Sequence, residues 1–540
     1  AAGHSFESLA AVAPGAAEDT YGVGINGTTS PENAFKIDGV SVNDGAFGIL
    51  ATPLSTEFIK ELNVISGGYM PEYGRAMGGI FDVTTNSGSN EFHGSVWLNI
   101  SPGGFEGPRT LIQSDKSVIA TTTRLGNLRD FGAQVGGPII KDKLWFFAGV
   151  QAAFTRDILD RNLNAFQIDP ITGETILDEN TGFSKTNEIA TQRFYSDEQA
   201  LQYIGKLTYL LNQNHNLTLS VIGTPTTSGG NGSFGYNTAG NPEVGNISGS
   251  YESLASRRVA SASDISMKYQ GSFNNKKQLL DLTFGWHHQD TAQTPTDGSS
   301  IGDTTGLASR AQVIYRRSSP GPHPLRDFEA IGNSAVCNLV SVANPEFDPS
   351  MPASADNPAQ IQIDPCPVAN YTRGGAGFIN ESAVNSYQGA AVFTSLVQLA
   401  GHHVIKAGID FNFASYSNTK AYSGGTAYRE NGSGSNFHDY RQYGYLQNPD
   451  DPITLTSYTA KSNSTTIGGF LQDSWSIMDK VTLNIGFRYD TQLIYGSDGA
   501  LGLSLPNQWS PRIGVIYDFT QQGRSKIFAN YARYYEGVPL

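Results

Sequence analysis

The strongest constraint on the fold of this chain is an alternation of apolar and polar side chains with a period of two residues. It recurs from about residue 91 to the end of the sequence. In residues 481–490 apolar side chains occupy the odd positions, and polar or small ones occupy the even positions. Residues 278–288, 403–413 and 512–519 repeat the pattern, with Ile516 as an exception. Such alternation is typical of β-strands whose two faces meet different environments, so it predicts an all-β structure.

The connections between these strands alternate between short and long. Short links are predicted near residues 139–142, 211–214, 274–277, 400–401, 478–479 and 521–523, and long ones at about 102–127, 156–200, 224–258, 291–383, 417–463 and 492–509. Compact soluble domains seldom contain repeated loops longer than about 15 residues. A transmembrane antiparallel β-barrel has tight turns on one rim and long extracellular loops on the other. We therefore predict about 13 wall strands, beginning near Phe92 and ending near Tyr534.

Composition and charge exclude several other classes. The chain has 35 Lys and Arg residues against 49 Asp and Glu, a net charge of −14, which argues against a nucleic-acid partner. No stretch offers the roughly 18 consecutive apolar residues of a transmembrane helix, and the first residues lack the pattern of a signal peptide. Outer-membrane lipids are the expected surroundings of the strands. The odd strand count, against the even counts of bacterial barrels, leads us to expect that the chain stops inside a barrel.

Aromatic residues and cysteines add two expectations. Trp97, Trp145, Trp286 and Trp475 lie near predicted strand ends, where barrels carry aromatic girdles. Cys337 and Cys366 lie in one predicted loop with 28 residues between them. Without a nearby His, metal binding by this pair is disfavoured, and we predict a disulfide across the loop, with two unpaired thiols as the alternative.

The first ninety residues differ from the rest, because their alternation is short and broken by turn residues. We predict a small globular element at residues 1–90 and a barrel wall at residues 91–540. Three segments carry recognisable motifs: Ile37-Asp38-Gly39-Val40, residues 57–85 (EFIKELNVISGGYMPEYGRAMGGIFDVTT) and residues 88–94 (GSNEFHG). They resemble the C-terminal half of the plug of TonB-dependent outer-membrane receptors and, at the plug–barrel junction, the Oar-like branch. Residues 136–147 and 527–536 agree with that resemblance.

The resemblance implies a 22-stranded barrel whose lumen is filled by a small N-terminal α/β plug. Outer-membrane transporters of that strand number have a plugged lumen. The resemblance also implies uptake of a scarce extracellular ligand, driven by a TonB-type energising protein. The first half of the plug and the TonB box that binds this partner are absent from the sequence, so we expect a fragment. Export or surface display of a protein or peptide by the same scaffold stays open as the alternative. A passive porin and a soluble β-sandwich are less favoured.

Within the plug, the matching motif residues are Asp38, Gly39, Tyr73, Gly74, Arg75, Gly78 and Gly79. Asp38-Gly39 is a turn signal at a strand end, because Gly readily adopts positive φ and Asp can bond its own backbone. The other five suggest a tight turn packed against the wall. We expect Arg75 to face lumen carboxylates such as Asp410 or Asp490, since a buried Arg is costly unless paired. Such pairs would hold the plug in place reversibly.

The sequence offers no set of catalytic, cofactor-binding or metal-binding residues. Residues 22–27 fit G-x-G-x-x-G, but residues 28–31 (Thr-Thr-Ser-Pro) follow, where a dinucleotide fold requires a helix. The adjacent pairs His287-His288 and His402-His403 point to opposite faces of a strand and suit one metal ion poorly. We therefore predict that the protein is not an enzyme and uses no cofactor.

Overall fold

The computed structural model describes residues 5–107, 117–237, 240–243, 247–318, 321–331, 334–521 and 523–540. It consists mainly of β-strands, with two short α-helices and several 3₁₀ turns. Within these ranges, no helix has the length and apolar character needed to cross a membrane. The all-β class expected from the two-residue period is confirmed.

The plug, residues 5–90, is a small mixed α/β element. Its helix and strands are α1 (Phe6–Ala10), β1 (Ala16–Glu18), β2 (Val23–Ile25), β3 (Ala34–Ile37), β4 (Val40–Ser41), β5 (Ile59–Ile65) and β6 (Ile80–Thr85). Four of these strands form a sheet in the order β4-β3-β6-β5, in which β3 and β6 run parallel. The centre of the plug is aromatic, because Phe6, Phe35, Phe58 and Phe81 are fully buried. The rings of Phe35 and Phe81 stack with centroids 4.9 Å apart.

The remaining elements form the wall and a set of elements within its long connections. In chain order they are β7 (His93–Pro102), β8 (Ile119–Ile140), β9 (Leu144–Phe166), β10 (Thr186–Asn212), β11 (His215–Gly223), β12 (Thr226–Ser228), α2 (Tyr251–Leu254), β13 (Ser256–Phe273), β14 (Gln278–Pro295), β15 (Gln312–Arg316), β16 (His323–Pro324), β17 (Val340–Ala343), β18 (Gln360–Ile363), β19 (Pro367–Val368), β20 (Asn370–Gly374), β21 (Phe378–Gln398), β22 (His402–Tyr422), β23 (Thr426–Glu430), β24 (Phe437–Asn448), β25 (Asp451–Leu455), β26 (Ser457–Ile477), β27 (Val481–Tyr495), β28 (Leu501–Tyr517) and β29 (Ile527–Ala532). We call the elements within the long connections, α2, β15–β20 and β23–β25, the extracellular additions.

The wall is one antiparallel sheet in which chain neighbours pair in sequence. Its order is β7-β8-β9-β10-β11-β13-β14-β21-β22-β26-β27-β28-β29, with the short β12 joining β10 to β13. Thirteen strands therefore lie on the main path, as the sequence predicts. They begin at His93 and end at Ala532.

The two faces of the wall differ as the alternation requires. On β22 the apolar side chains Ile409, Phe411 and Phe413 point outward, with 67%, 45% and 40% of their surfaces exposed. Asp410, between Ile409 and Phe411, points toward the plug, where its carboxylate meets Arg75. An outward apolar band with polar side chains inside is the arrangement of a membrane-spanning barrel.

The long connections contain more regular structure than the sequence suggests. Strands β8, β9 and β10 reach 22, 23 and 27 residues, and so extend into segments predicted as loops. A separate sheet of order β20-β15-β23-β24-β25 joins two different connections through a parallel pairing of β15 with β23. Because the paired segments are so distant in sequence, no local sequence pattern predicts this sheet.

The aromatic-girdle expectation fails for Trp97. Trp145 and Trp475 lie near strand ends, but Trp286 lies in the middle of β14. Trp97 packs edge to face against Phe58 of the plug, with ring centroids 5.9 Å apart. Trp97 therefore seals the plug against the wall instead of facing lipid.

Candidate functional site: the interface between plug and wall

The plug contacts most strands of the wall through polar side chains that the wall directs inward. These contacts fall into two groups. One involves plug residues 38–55 and strands β10, β11, β13, β14 and β21, and the other involves residues 69–75 and strands β22, β26, β27 and β28.

The turn at Asp38-Gly39 is the first anchoring point. Asp38 has φ of 48° and Gly39 has φ of 88°, a left-handed pair that closes the tight turn between β3 and β4. The Asp38 carboxylate pairs with the Lys206 ammonium of β10 at 3.0 Å, and both side chains are buried. It also accepts hydrogen bonds from the Ser220 hydroxyl of β11 and the Thr85 hydroxyl of the plug, at 3.0 and 2.6 Å. The turn aspartate thus has a second role, as a bridge to the wall.

Two glutamines of the wall bind the plug backbone. The Gln388 amide N–H donates to the Ser41 carbonyl at 2.8 Å, and its oxygen accepts from the Ser41 N–H at 2.9 Å. Gln202 repeats this arrangement, accepting from the Ser55 N–H and donating to the Pro53 carbonyl. A carboxamide carries both a donor and an acceptor, so Gln388 pairs with both main-chain groups of one residue and Gln202 bridges two residues that lie two positions apart.

A buried polar chain links the plug to β13 and β14. The Thr52 hydroxyl donates to one oxygen of Asp264 at 2.7 Å, and Nδ1 of His287 lies 2.7 Å from the other oxygen. All three side chains are buried. The Gln289 amide nearby donates to Asp44 of the plug at 2.6 Å. Of these wall residues His287 alone is singled out in the sequence, as a poor metal ligand, and the sequence does not predict this contact with the plug.

The second group of contacts is centred on Arg488. Its guanidinium donates to Asp410 and Asp490, in each case with Nη2 at 2.7 Å, and its side chain is 1% exposed. Arg75 of the plug lies against the other oxygen of Asp410. Asp410 therefore joins a plug arginine to a wall arginine, and Arg75 meets one of the two carboxylates named from the sequence.

Gly74 has a steric role at this point. A side-chain carbon at Gly74 would overlap the Arg488 guanidinium, so only glycine allows this close approach. Gly78 and Gly79 differ from expectation, because side-chain carbons there would meet Asn33 and Ile25 of the plug itself. These two glycines serve packing within the plug and not packing against the wall.

Two further wall cations hold the same plug segment. The Lys406 ammonium lies 2.9 Å from Glu72, whose backbone N–H donates to the Gln472 oxygen at 2.9 Å. Arg512 donates to the carbonyls of Met70 and Tyr73, at 2.8 and 2.6 Å. Its guanidinium also lies 5.1 Å from the ring centroid of Tyr69. Alternation marks Lys406 and Arg512 as lumen-facing, but no sequence signal identifies their plug partners.

A polar cavity of about 510 Å³ separates the two groups of contacts. Its lining includes Lys36 and Asp82, which face each other across the parallel β3–β6 pair. Burial lowers the pKa of the Lys36 ammonium and raises that of the Asp82 carboxyl. The two opposite charges therefore lie beside each other at the cavity wall, each partly desolvated.

The predicted cysteine pair lies above the wall, in the extracellular additions. The structure joins Cys337 and Cys366 in a disulfide, with Cα atoms 5.4 Å apart. Both cysteines belong to a buried cluster that also contains Leu163 of β9 and Tyr371 of β20. The disulfide therefore cross-links the long connection between β14 and β21 to itself, and the buried cluster around it packs this connection against β9.

Comparisons with known proteins agree with this architecture. Residues 84–505 match the family model described as outer membrane beta barrel domain. The chain belongs to this outer-membrane β-barrel family. It is also 46% identical to the TonB-dependent transporter Oar of Myxococcus xanthus, over 99% of this chain and 49% of that protein. The match confirms the resemblance to the Oar-like branch, and the chain spans about half the length of this curated relative.

Solved structures of the same fold are outer-membrane receptors and transporters. The transporter YddB of Escherichia coli aligns with a TM-score of 0.58 at 14% identity, over 99% of this chain and 59% of that one. The ferripyoverdine receptor of Pseudomonas aeruginosa aligns with 0.55 at 12% identity, over 96% and 53%. The siderophore receptor PirA of Acinetobacter baumannii aligns with 0.54 at 13% identity, over 99% and 59%. Together with the family match, these similarities place the protein in the bacterial outer membrane.

Proposed function

We propose that this chain forms the C-terminal part of the plug and the first wall strands of a TonB-dependent transporter that takes up an extracellular ligand. In this proposal residues 1–90 act as the C-terminal part of the plug domain and residues 91–540 as the N-terminal part of the barrel, with its long extracellular loops. The observation that carries it is the polar interface between plug and wall, with Asp410 shared by Arg75 and Arg488. The name of the 46% identical relative supports the same activity.

A polar interface suits a plug that must be held and also released. A typical hydrogen bond contributes only about 0.5–1.5 kcal/mol net, because water replaces the lost partner. Many such contacts hold the plug firmly together, yet each can be exchanged for water when the plug moves. The apolar contacts of Phe147 and Trp97 with the plug core are different, because their separation exposes hydrophobic surface at a cost that grows with its area.

The work of moving the plug must come from a partner, because the wall has no nucleotide-binding or other energy-coupling motif in this sequence. We propose a TonB-type protein of the inner membrane for that role. The ligand comes from the extracellular medium. We propose siderophores as the first compounds to test, because two proteins of the same fold are named as a siderophore receptor and a ferripyoverdine receptor.

Comparison of spent growth medium tests the proposal. Cells that produce the full-length protein, cells lacking it, and cells lacking their TonB system are grown in the same defined medium with added siderophores. Mass spectrometry then measures which solutes disappear and which proteins or peptides appear. Import predicts at least one solute that is depleted only when both the protein and TonB are present, and a plasmid-borne copy restores depletion.

The alternative of export gives the opposite result. A protein or peptide would be missing from the medium of the deletion strain, with no solute left undepleted. That outcome would reject uptake as the function and would leave the plugged-barrel architecture unchanged.

A further inference from the structure

The outer face of the long strands β8, β9 and β10 carries a group of four arginines, Arg124, Arg129, Arg156 and Arg193, which we call the arginine patch. Its orientation follows from the strand period. Phe147 of β9 packs into the core of the plug, and a side-chain carbon at Gly149 would meet Phe58 of the plug. Odd positions of β9 thus point inward, and Phe154 and Arg156 point outward.

Contacts within the patch organise the arginines into a continuous surface. The Arg129 guanidinium lies 5.2 Å from the ring centroid of Phe154, and that of Arg156 lies 5.0 Å from the ring of Tyr195. Stacking on aromatic rings keeps a guanidinium in place while leaving its N–H groups at the edge free to donate.

Acidic side chains neutralise only part of this charge. Arg156 pairs with Asp197 at 2.8 Å through Nη2, and Asp160 lies 2.7 Å from Arg193 and 3.6 Å from Arg124. The Glu106 carboxylate accepts a hydrogen bond from the backbone N–H of Leu125 in β8. Among the residues that the structure describes here, four arginines against three carboxylates leave one excess positive charge, in a chain whose net charge is −14.

The arginines also keep donors available to a ligand. The side chains of Arg124, Arg156 and Arg193 are 49%, 48% and 50% exposed. Among the residues that the structure describes, no carboxylate lies within ion-pair distance of Arg129.

The patch is continuous with the lipid-facing band of the wall. Phe131 lies two residues from Arg129 on the same face of β8, and further exposed apolar side chains follow toward the short turn. They are Val135, Val150, Leu201, Tyr203 and Leu207, each between 38% and 48% exposed. Charged residues beside the end of such a band lie at the depth of lipid headgroups.

We propose that the arginine patch binds the phosphate groups of a phosphorylated glycolipid in the outer leaflet. The acyl chains would lie along the apolar band below, and the phosphates would accept charge-assisted hydrogen bonds from the guanidinium groups. Arginine suits this ligand because its planar fork matches two phosphate oxygens at once. The interaction is independent of ligand transport and would anchor the wall at a fixed depth in the outer leaflet.

Lipid titration of the full-length protein tests the proposal. The protein is reconstituted in phosphatidylcholine nanodiscs, and native mass spectrometry measures binding of diphosphoryl lipid A. R124Q/R129Q removes two positive charges and leaves the ion pairs of Asp160 with Arg193 and of Asp197 with Arg156 in place. With about 1 kcal/mol for each basic residue near a lipid surface, binding should weaken about 30-fold. K141Q/K143Q removes two charges at the opposite end of the β8–β9 hairpin and should change binding by less than about twofold.

Three results would overturn the proposal: wild-type affinity in R124Q/R129Q, an equal loss in the lysine control, or displacement of lipid A by inorganic phosphate, which would indicate a site for soluble anions. A difference in gel mobility between the unheated and the heated protein verifies that each variant has folded. R129Q alone, which breaks no ion pair among the described residues, should still weaken binding about fivefold and provides the test if the double variant fails to fold.

Discussion

At the scale of single residues, Arg488 is the most consequential side chain of the plug–wall interface. It is almost completely buried and is shared between Asp410 and Asp490. Removing one partner of a buried ion pair leaves the other charge without compensation, whereas exposed pairs contribute little. Whether an ion pair is buried or exposed therefore determines how much it contributes to the stability of this protein.

We expect R488Q to lower the free energy of unfolding by about 3–5 kcal/mol, because the buried Asp490 carboxylate loses its cation and Asp410 keeps only Arg75. R193Q, which removes a half-exposed arginine that also pairs with an aspartate, should cost at most about 1 kcal/mol. Urea-induced unfolding of the full-length protein in lipid vesicles, followed by tryptophan fluorescence, measures both. Equal losses in the two variants would contradict the central role of Arg488.

We expect G74A to destabilise the seated plug by about 1–3 kcal/mol, because the added methyl group would overlap the Arg488 guanidinium. G104A is the matched control, since no atom of the described residues beyond its chain neighbours lies within 4 Å of a side-chain carbon at that glycine. Hydrogen exchange of the plug amides reports the result. Unchanged protection of residues 69–75 in G74A would show that the close contact does not matter.

At the scale of elements, the extracellular additions depend on their disulfide. The bridge joins residues 29 apart in sequence, and loops of that length gain about 3–4 kcal/mol from closure. We expect C337S/C366S to make residues 338–365 sensitive to limited proteolysis while the wall strands remain protected. Peptide mapping after brief protease treatment measures both effects. Cleavage that appeared equally in the wild-type protein would reject this role.

The same scale shows where sequence reasoning succeeds and where it stops. The wall strands were predictable, because each has one face in lipid and one in the lumen, and the period of two records that difference. The sheet that joins β15 to β23 was not, because its strands are short and come from different connections. Asp410 was identifiable as lumen-facing, but Lys206, Gln388 and Arg512 bind plug groups that no local pattern encodes.

At the scale of the whole molecule, the membrane fixes which substitutions are tolerated on the outside. Ile409 lies in the middle of the outward apolar run of β22 and is 67% exposed. We expect I409R to cost about 2–4 kcal/mol in vesicles, and T459R, near the extracellular end of β26, about 0–1 kcal/mol. Urea titration of the vesicle-inserted protein compares them. Equal effects would mean that β22 does not face lipid at this position.

Gln388 and Gln202 form hydrogen bonds with main-chain groups of the plug, and this affects how the plug sequence can change in evolution. These glutamines recognise the main chain at Ser41 and Ser55, so the two contacts do not themselves select a side chain there. Ser55 is still constrained within the plug, because it is fully buried and its hydroxyl accepts a hydrogen bond from the Glu57 N–H. Ser41 is only partly buried, so the plug can change in sequence more readily at that position. Transplanting a plug from a distant relative into this wall should succeed more readily at Ser41 than at Glu72 or Arg75, where matched charges must change together.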